Sequence, residues 1–214
     1  MTMVSDDGLS VVDTTIPDVT TADAPPSGAS SSGVFLRRAM RADLPRMMDV
    51  YVRARKVMME VGNPTQWGTR YPLAEVVAED VRRGRALLLV EGVDGEGGSG
   101  PEGVHDRILA QFAICAGSDP SYTSIDGAWI DDDPYVTIHR LASSGIRHGS
   151  ARHCLMWAVR RYGNVRVDTH RNNGPMLHVL AESGFTRCGV ITTVGGRRDP
   201  RRVAFQRHDA IIVV

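Results

Sequence analysis

The chain has 214 residues, of which 42% are hydrophobic and 23% are charged, enough for one domain of ordinary size. Glycine has no triplet period and apolar residues recur along most of the length, which excludes a collagen-like repeat, a disulfide scaffold and a wholly disordered chain. Basic and acidic side chains both number 25, but residues 1–33 hold five aspartates and no lysine or arginine. The arginine surplus of the remaining chain suits anionic small molecules and falls short of the basic stripe that nucleic-acid binding needs.

The cysteines and the hydropathy pattern predict a cytoplasmic protein. Cys115, Cys154 and Cys188 are isolated in apolar surroundings without a CxxC pair or a histidine cluster, so we expect buried, reduced thiols and no metal site. No run approaches the ~18 consecutive apolar residues of a membrane span. The N-terminus lacks the basic start and apolar run of a signal peptide, so we expect no membrane partner.

Two segments have the composition of flexible chain. Residues 1–33 are largely Ser, Thr, Gly, Pro and Asp, which bury too little apolar surface to offset their conformational entropy, and they are predicted to form a disordered acidic tail. Six glycines between Gly92 and Asp106 predict a flexible, glycine-rich hairpin loop over 92–106. Neither segment has the character of a domain boundary, so residues 34–214 are predicted to form a single domain.

Hydrophobic periodicity then predicts the elements in chain order. Strands are expected at Val34–Arg38, Ala86–Glu91, Arg107–Ala116, Val136–Ser143, Asn164–Thr169, Phe185–Thr193 and Arg202–Gln206. Helices are expected after Asp43 as the N-cap, from about Pro72, after Gly149, and after Asn173 as the N-cap with Gly184 at the end. The resulting order, β-α-α-β-β-β-α-β-α-β-β, is that of an α+β layer fold.

Residues 138–151 place a strand, a short glycine-containing turn and the start of a helix in succession. Unpaired backbone N–H groups and the helix dipole favour an anion at such a point. Gly149 would let a ligand approach the backbone closely, while Arg147 and His148 would add positive charge. The pattern predicts an anion site, with an ordinary strand-to-helix turn as the alternative.

This strand–turn–helix resembles the GNAT superfamily of acyl-CoA N-acyltransferases. Leu141-Ala142-Ser143 matches the family's Leu-Ala-Val-like strand, and Gly149-Ser150-Ala151 matches its pyrophosphate loop. Asn173, eleven residues before Gly184-Phe185, matches a second family motif. The resemblance covers residues 34–207 and implies a mixed, mostly antiparallel central sheet of about seven strands flanked by about four helices.

The resemblance also implies that acetyl-CoA is the cosubstrate. The residues expected to contact coenzyme A are Leu141, Ala142, Ser143, Arg147, His148, Gly149, Ser150, Ala151, Asn173 and Met176. Two departures stand out: Ile146 replaces the usual Arg or Gln of the loop, with Arg147 as the candidate substitute, and Leu180 replaces the tyrosine that many relatives use to protonate the departing thiolate.

Two residues of the same strand are the catalytic candidates. By the resemblance, the backbone at Leu141 and Ala142 holds the pantetheine and polarises the thioester carbonyl. His139 lies two residues earlier and is the candidate base, because an imidazole with a pKa of about 6.5 takes up a proton at neutral pH. A structural histidine with satisfied hydrogen bonds is the alternative.

The acceptor is expected to meet a loop between the first two helices. Asn63, Gln66 and Trp67 combine amides with an aromatic ring, which suits a small polar ligand, although Trp67 could instead be buried under the loop. Trp129 and His170 are further candidates for this cleft. The aspartates beside Trp129 would favour a cationic amine, with a solvated acidic loop as the alternative.

These observations predict an N-acetyltransferase that transfers an acetyl group from acetyl-CoA to a primary amine of a small molecule or peptide by direct attack, without a metal. A non-catalytic acyl-CoA-binding sensor is the alternative, made plausible by Leu180. An arginine-rich nucleic-acid module is a third class, and it predicts steeply salt-dependent binding. Nucleic acid is not the expected partner, and a homodimer is one option for the oligomeric state.

Overall fold

The structure is a computed structural model that describes residues 33–92, 106–194 and 199–210. The predicted acidic tail, apart from residue 33, and the interior of the predicted glycine-rich loop lie outside the described residues. Among the described helices, none has the length and hydropathy needed to cross a membrane.

Helices and strands follow one another largely in the predicted order. The helices are α1 (Leu44–Glu60), α2 (Ala74–Arg82), α3 (Ser150–Tyr162) and α4 (Gly174–Glu182). The strands are β1 (Val34–Arg38), β2 (Ala86–Gly92), β3 (Asp106–Ala116), β4 (Ile125–Gly127), β5 (Val136–Ser143), β6 (Asn164–Thr169), β7 (Thr186–Thr192) and β8 (Arg201–His208). The fold is α+β, as expected.

The sheet has eight strands where about seven were predicted. The additional strand is β4, which pairs with β7 through only three residues at the sheet edge. Its Ile-Asp-Gly sequence is too short to show an alternating pattern, and only Ile125 is partly buried, so periodicity could not reveal it.

All strands form one sheet in the order β1-β2-β3-β5-β6-β8-β7-β4. Every neighbouring pair is antiparallel except β5 and β6, which are parallel. Parallel neighbours need a crossover connection, and α3 supplies it between β5 and β6. The mixed, mostly antiparallel sheet agrees with the prediction.

β5 and β6 separate shortly after they meet. Their pairing covers only Val136–Ile138 against Val165–Val167, whereas β5 stays paired with β3 as far as Ser143. Opposite β3, the register jumps between Gln111 and Ala113, so Arg140 and Leu141 together face the single residue Phe112. This is a β-bulge, which bends the bulged strand and increases its twist. The bend opens a gap between β5 and β6.

Two hydrophobic clusters cover the two faces of the sheet. Helices α3 and α4 contribute to the first cluster, with residues that include Leu155, Trp157 and Leu180. Helices α1 and α2 contribute to the second cluster, with residues that include Met47, Tyr51 and Val77. Among the cysteines, Cys154 is buried as predicted, while Cys115 and Cys188 are only partly buried.

The two predicted N-caps behave differently. Asn173 caps α4, with its side-chain oxygen accepting from the backbone N–H of Met176 at 3.3 Å, as expected. Asp43 stands at the N-cap position of α1 but makes no capping hydrogen bond with its side chain. Its carboxylate accepts instead from the Met40 backbone N–H at 2.8 Å and pairs with Arg37 and Arg46.

Candidate active site

A cavity of about 510 Å³ lies where β5 and β6 separate. The separated strand ends form its floor, and the α1–α2 loop, α2 and the start of α4 form its walls. Residues that line it and matter for the chemistry are Asp80, Arg85, Cys115, Asp119, His139 and Leu141. The cavity is large enough for a small acceptor and the reactive end of a thioester.

His139 faces a carboxylate inside this cavity. Its Nε2 lies 2.9 Å from Oδ2 of Asp119, and both side chains remain partly exposed. Burial by itself raises the pKa of Asp119, but hydrogen bonds from His139 and Ser121 outweigh it, and the pKa of the carboxyl lies below its usual value. Asp119 is therefore ionised at neutral pH and accepts a hydrogen bond from the N–H at Nε2, which leaves Nδ1 of the neutral imidazole as the acceptor.

Sequence analysis missed Asp119. It opens a one-turn 3₁₀ helix over Pro120–Tyr122, with Oδ1 accepting from the Ser121 backbone N–H at 2.8 Å. From the sequence this Asp-Pro pair indicates only a turn. Its partner His139 is 20 residues away on another element, so only the folded chain shows the pairing.

The bulge places the two residues that follow His139. Arg140 has a φ of 56°, in the left-handed region that a non-glycine residue rarely adopts. The hydroxyl of Tyr51 donates to its carbonyl oxygen at 3.2 Å and helps to hold it there. Leu141 lines the cavity, and Ala142 is buried in the second hydrophobic cluster. Irregular backbone next to a cavity is typical of functional sites.

The predicted coenzyme A loop lies before α3 at the end of β5. Gly149 is the N-cap of α3 with a φ of 81°, and a Cβ built on it meets nothing within 4 Å. Arg147 and His148 are exposed in the same turn, and Arg147 pairs with Glu91 at 3.1 Å. Ser150 donates from its hydroxyl to the Arg147 carbonyl at 2.8 Å. The start of α3 is thus open to a ligand.

One glutamine connects the predicted acceptor loop to the predicted cofactor motif. Oε1 of Gln66 accepts from Nδ2 of Asn63 at 2.7 Å and from Nδ2 of Asn173 at 3.0 Å. Gln66, Asn173 and Met176 line the cavity, whereas Asn63 is fully buried behind it. The loop and the start of α4 therefore close over the cavity together.

The three remaining predicted substrate residues are differently placed. Trp67 lines the cavity but is only 8% exposed, and its ring packs edge-on against Tyr51 at 5.6 Å between centroids. Trp129 lies outside the cavity lining, where its Nε1 donates to the Tyr122 carbonyl at 3.2 Å. His170 also lies outside it, fully buried, with Nε2 2.7 Å from Asp199.

A charged cluster that was not predicted from the sequence also lines the cavity. Asp80 on α2 is nearly fully buried and faces two arginines. Arg140 contacts its Oδ2 through Nε at 2.8 Å and Nη2 at 2.6 Å. Nη2 of Arg85 lies 2.9 Å from Oδ1. We call these three residues the Asp80 cluster.

Comparison with known proteins identifies the fold. No protein-family model matches the chain, and no curated protein matches it. A GNAT-family acetyltransferase structure from Streptococcus agalactiae is similar, with 25% identity and a TM-score of 0.69 over 84% of this chain and 98% of the other. A GNAT-family acetyltransferase from Listeria monocytogenes shares 16% identity with a TM-score of 0.56 over 84% and 98% of the two chains. An N-acetyltransferase from Staphylococcus aureus shares 14% identity with a TM-score of 0.52 over 83% and 99%.

These likenesses extend over most of the described chain and nearly all of each similar structure. They agree with the mixed, mostly antiparallel sheet and its four helices. The chain therefore has the fold of the GNAT acyl-CoA N-acyltransferases.

Proposed function

We propose that the protein is an N-acetyltransferase that transfers the acetyl group of acetyl-CoA to a primary amine of a small molecule or peptide. One observation carries the proposal: the cavity formed where β5 and β6 separate contains an imidazole paired with an ionised carboxylate, His139 with Asp119. This is the arrangement that a positioned general base requires. The similar structures from Streptococcus agalactiae and Listeria monocytogenes are of GNAT-family acetyltransferases, which is consistent with it.

Residues at the end of β5 and the start of α3 would hold the coenzyme. The first turn of α3 offers backbone N–H groups without intrahelical partners, together with the positive end of the helix dipole. The open space at Gly149 and the exposed Arg147 fit a pyrophosphate at this point. The backbone of the bulge at Leu141 would lie along the pantetheine, and the coenzyme would supply the activated acetyl group.

His139 would make the acceptor reactive. Its Nδ1 takes the proton that the amine loses as the amine nitrogen bonds to the thioester carbonyl carbon, and Asp119 stabilises the imidazolium that forms. The carbon–sulfur bond then breaks and releases coenzyme A as a thiolate. Leu180 is fully buried in the first hydrophobic cluster, so this position contributes nothing to thiolate protonation.

The state of Cys115 supports direct attack by the amine. This thiol lines the cavity and is the one cysteine of the described chain that does so. Burial raises its pKa above the ordinary value despite the nearby arginines, so the nucleophilic thiolate is scarce at neutral pH. A covalent acetyl-cysteine intermediate is thus disfavoured.

Thiol release tests the proposal. The purified protein is mixed with acetyl-CoA and a panel of primary amines, and free coenzyme A is followed with a thiol reagent. The proposal expects amine-dependent release that His139→Ala reduces by at least tenfold, with binding of coenzyme A retained in calorimetry. Binding without any amine-dependent release would instead favour an acyl-CoA sensor. Absence of binding would contradict both.

A further inference from the structure

The Asp80 cluster carries an unbalanced positive charge. Two guanidinium groups, from Arg85 and Arg140, share the single carboxylate of Asp80. The three side chains are 15%, 13% and 4% exposed, so little water reaches them. A largely buried cation without its own counter-ion is costly, which makes the cluster a strong site for an anion.

Arg85 is the less satisfied of the two arginines. Arg140 aligns two N–H groups with Oδ2 of Asp80. Arg85 approaches Oδ1 closely but without the alignment of a hydrogen bond. Its Nε is buried and, within residues 33–92, 106–194 and 199–210, has no hydrogen-bond acceptor. Arg85 also lines the cavity, and a planar guanidinium that is incompletely hydrogen-bonded is suited to a planar carboxylate.

Arg85 and His139 lie on either side of one strand, β3. The carbonyl of Arg85 accepts from the backbone N–H of Ile114 on β3 at 3.0 Å, while His139 pairs with Ala113 from the opposite edge. Adjacent strands are about 4.8 Å apart, so the backbones of Arg85 and His139 are separated by about 10 Å across β3. Both side chains line the same cavity, so a small molecule with two functional groups can contact both.

We propose that the acceptor is an amine that also carries a carboxylate, which Arg85 binds while the amine lies at His139. This inference rests on the proposed function, whose acceptor site it specifies. The cluster's net charge of one matches a monoanionic carboxylate better than a dianionic phosphate. Amino acids with α-, β- or γ-amino groups are the chemical class that fits.

Matched amines test the carboxylate. Thiol release from acetyl-CoA is measured with the standard L-amino acids, β-alanine and γ-aminobutyrate, and with their amides and decarboxylated counterparts. O-phosphoethanolamine is included as a phosphate-bearing amine. We expect kcat/KM for the best amino acid to exceed that for its amide and its decarboxylated amine by at least tenfold. Equal values, or a preference for O-phosphoethanolamine, would overturn the inference.

Substitution of Arg85 tests whether this residue binds the carboxylate of the acceptor. Arg85→Gln leaves Asp80 paired with Arg140 and is expected to raise the KM for the amino acid at least tenfold, while the KM for its amide and for acetyl-CoA stay unchanged. The matched control is Arg82→Gln on α2, which is 68% exposed, outside the cavity lining and paired with Glu79. Equal loss for the acid and the amide would contradict the assignment.

A binding measurement separates the two proposals. N-acetyl amino acids and their amides are titrated into the protein with coenzyme A bound, which requires no turnover. Preferential binding of the acids, abolished by Arg85→Gln, supports the carboxylate site even if catalysis is absent. Equal binding or no binding overturns it, whereas failure of the proposed function shows as loss of coenzyme A binding or of thiol release with every amine.

Discussion

At the scale of single residues, charge pairs in this protein serve two purposes. Asp119 holds His139 at an accessible cavity wall, where the imidazole can still take up a proton. Asp43 is fully buried, pairs with Arg37 and Arg46, and lies outside the lining of this cavity. The first pair is predicted to act in the reaction and the second in folding, and the pH dependence of rate and stability distinguishes them.

The pH dependence of the rate of acetyl transfer should depend on His139. The imidazole must be neutral to accept a proton, so the rate of acetyl transfer is expected to fall as the pH falls through its titration. His139→Ala should remove this acidic limb. Asp119→Asn should lower kcat, because the imidazolium that forms in the reaction loses its carboxylate partner. Measurement of kcat and of kcat/KM against pH checks both variants, and an acidic limb that persists unchanged in His139→Ala would contradict the assignment.

The pH dependence of the free energy of unfolding should depend on Asp43. Burial raises the pKa of its carboxyl, but Arg37, the Met40 N–H and Arg46 outweigh it and the pKa is lowered in the folded protein. The carboxylate therefore stabilises the fold above the unfolded pKa of about 3.9, and this stability is lost as the pH falls through the folded value. Asp43→Asn leaves Arg37 and Arg46 to share the single carboxylate of Asp106, so one buried positive charge is no longer balanced. The substitution should cost about 3 kcal/mol at pH 7.

Denaturant unfolding at pH 7 and pH 3 measures this difference. The gap in unfolding free energy between the native protein and Asp43→Asn should narrow at pH 3, because this pH lies below the unfolded pKa of about 3.9, where the carboxylate's contribution to stability begins to be lost. Asp49→Asn is the matched control, since this aspartate is exposed on α1 and makes no ion pair in the described part of the chain. A gap that is independent of pH would show that Asp43 acts through packing.

At the scale of elements, the regular strands could be predicted from the sequence, whereas the irregular backbone at the β-bulge could not. β1, β5 and β6 begin and end where alternation and β-branched residues predict. The bulge at Arg140 was not predicted, because neither Arg140 nor Leu141 is a residue type that favours a positive φ. Its conformation depends on Tyr51 and Asp80, which are brought to it by other elements.

The start of α3 should control coenzyme A binding. Gly149→Glu forces a side chain onto a left-handed residue and places a negative charge where the pyrophosphate would lie. Calorimetry is expected to show at least a tenfold loss of affinity, about 1.4 kcal/mol, with the circular dichroism spectrum unchanged. Gly149→Asn should lose less, because asparagine tolerates the left-handed region and adds no charge.

Gly62→Glu is the matched control for this prediction. Gly62 has a φ of 79°, and a Cβ built there also meets nothing within 4 Å, so the substitution brings comparable backbone strain and the same charge to the α1–α2 loop instead of to the start of α3. Its affinity for coenzyme A should equal that of the native protein. If both variants lose affinity equally, the effect is not local and the phosphate loop must be sought elsewhere.

At the scale of the whole molecule, the site depends on contacts that no local pattern encodes. Gln66 and Asn173 are 107 residues apart and meet across the cavity. Sequence analysis separated them into an acceptor loop and a cofactor motif, because each lies near its own recognisable pattern. Arg85 and Asp119 were missed for the same reason, since each belongs to an ordinary turn in the sequence and only the folded chain brings it to the cavity. The elements were thus more predictable than their juxtaposition.

Gln66 should therefore influence both substrates, unlike a residue of an isolated acceptor loop. Gln66→Ala removes the shared acceptor of Asn63 and Asn173 and leaves two largely buried amide donors unpaired. A loss of about 2 kcal/mol in unfolding free energy is expected. The KM values for acetyl-CoA and for the acceptor amine should both rise several-fold, because the closure between the loop and α4 is loosened.

Two variants distinguish loss of the hydrogen bonds to Asn63 and Asn173 from a general disturbance of the loop. Gln66→Glu keeps an oxygen acceptor for both asparagines, so both KM values and the melting temperature should stay closer to the native values than in Gln66→Ala. Thr65→Ala alters an exposed neighbour outside the cavity lining and should change neither. A selective effect of Gln66→Ala on the acceptor would mean that the amide contacts substrate directly. In that case the bridge to Asn173 would have no role in binding coenzyme A.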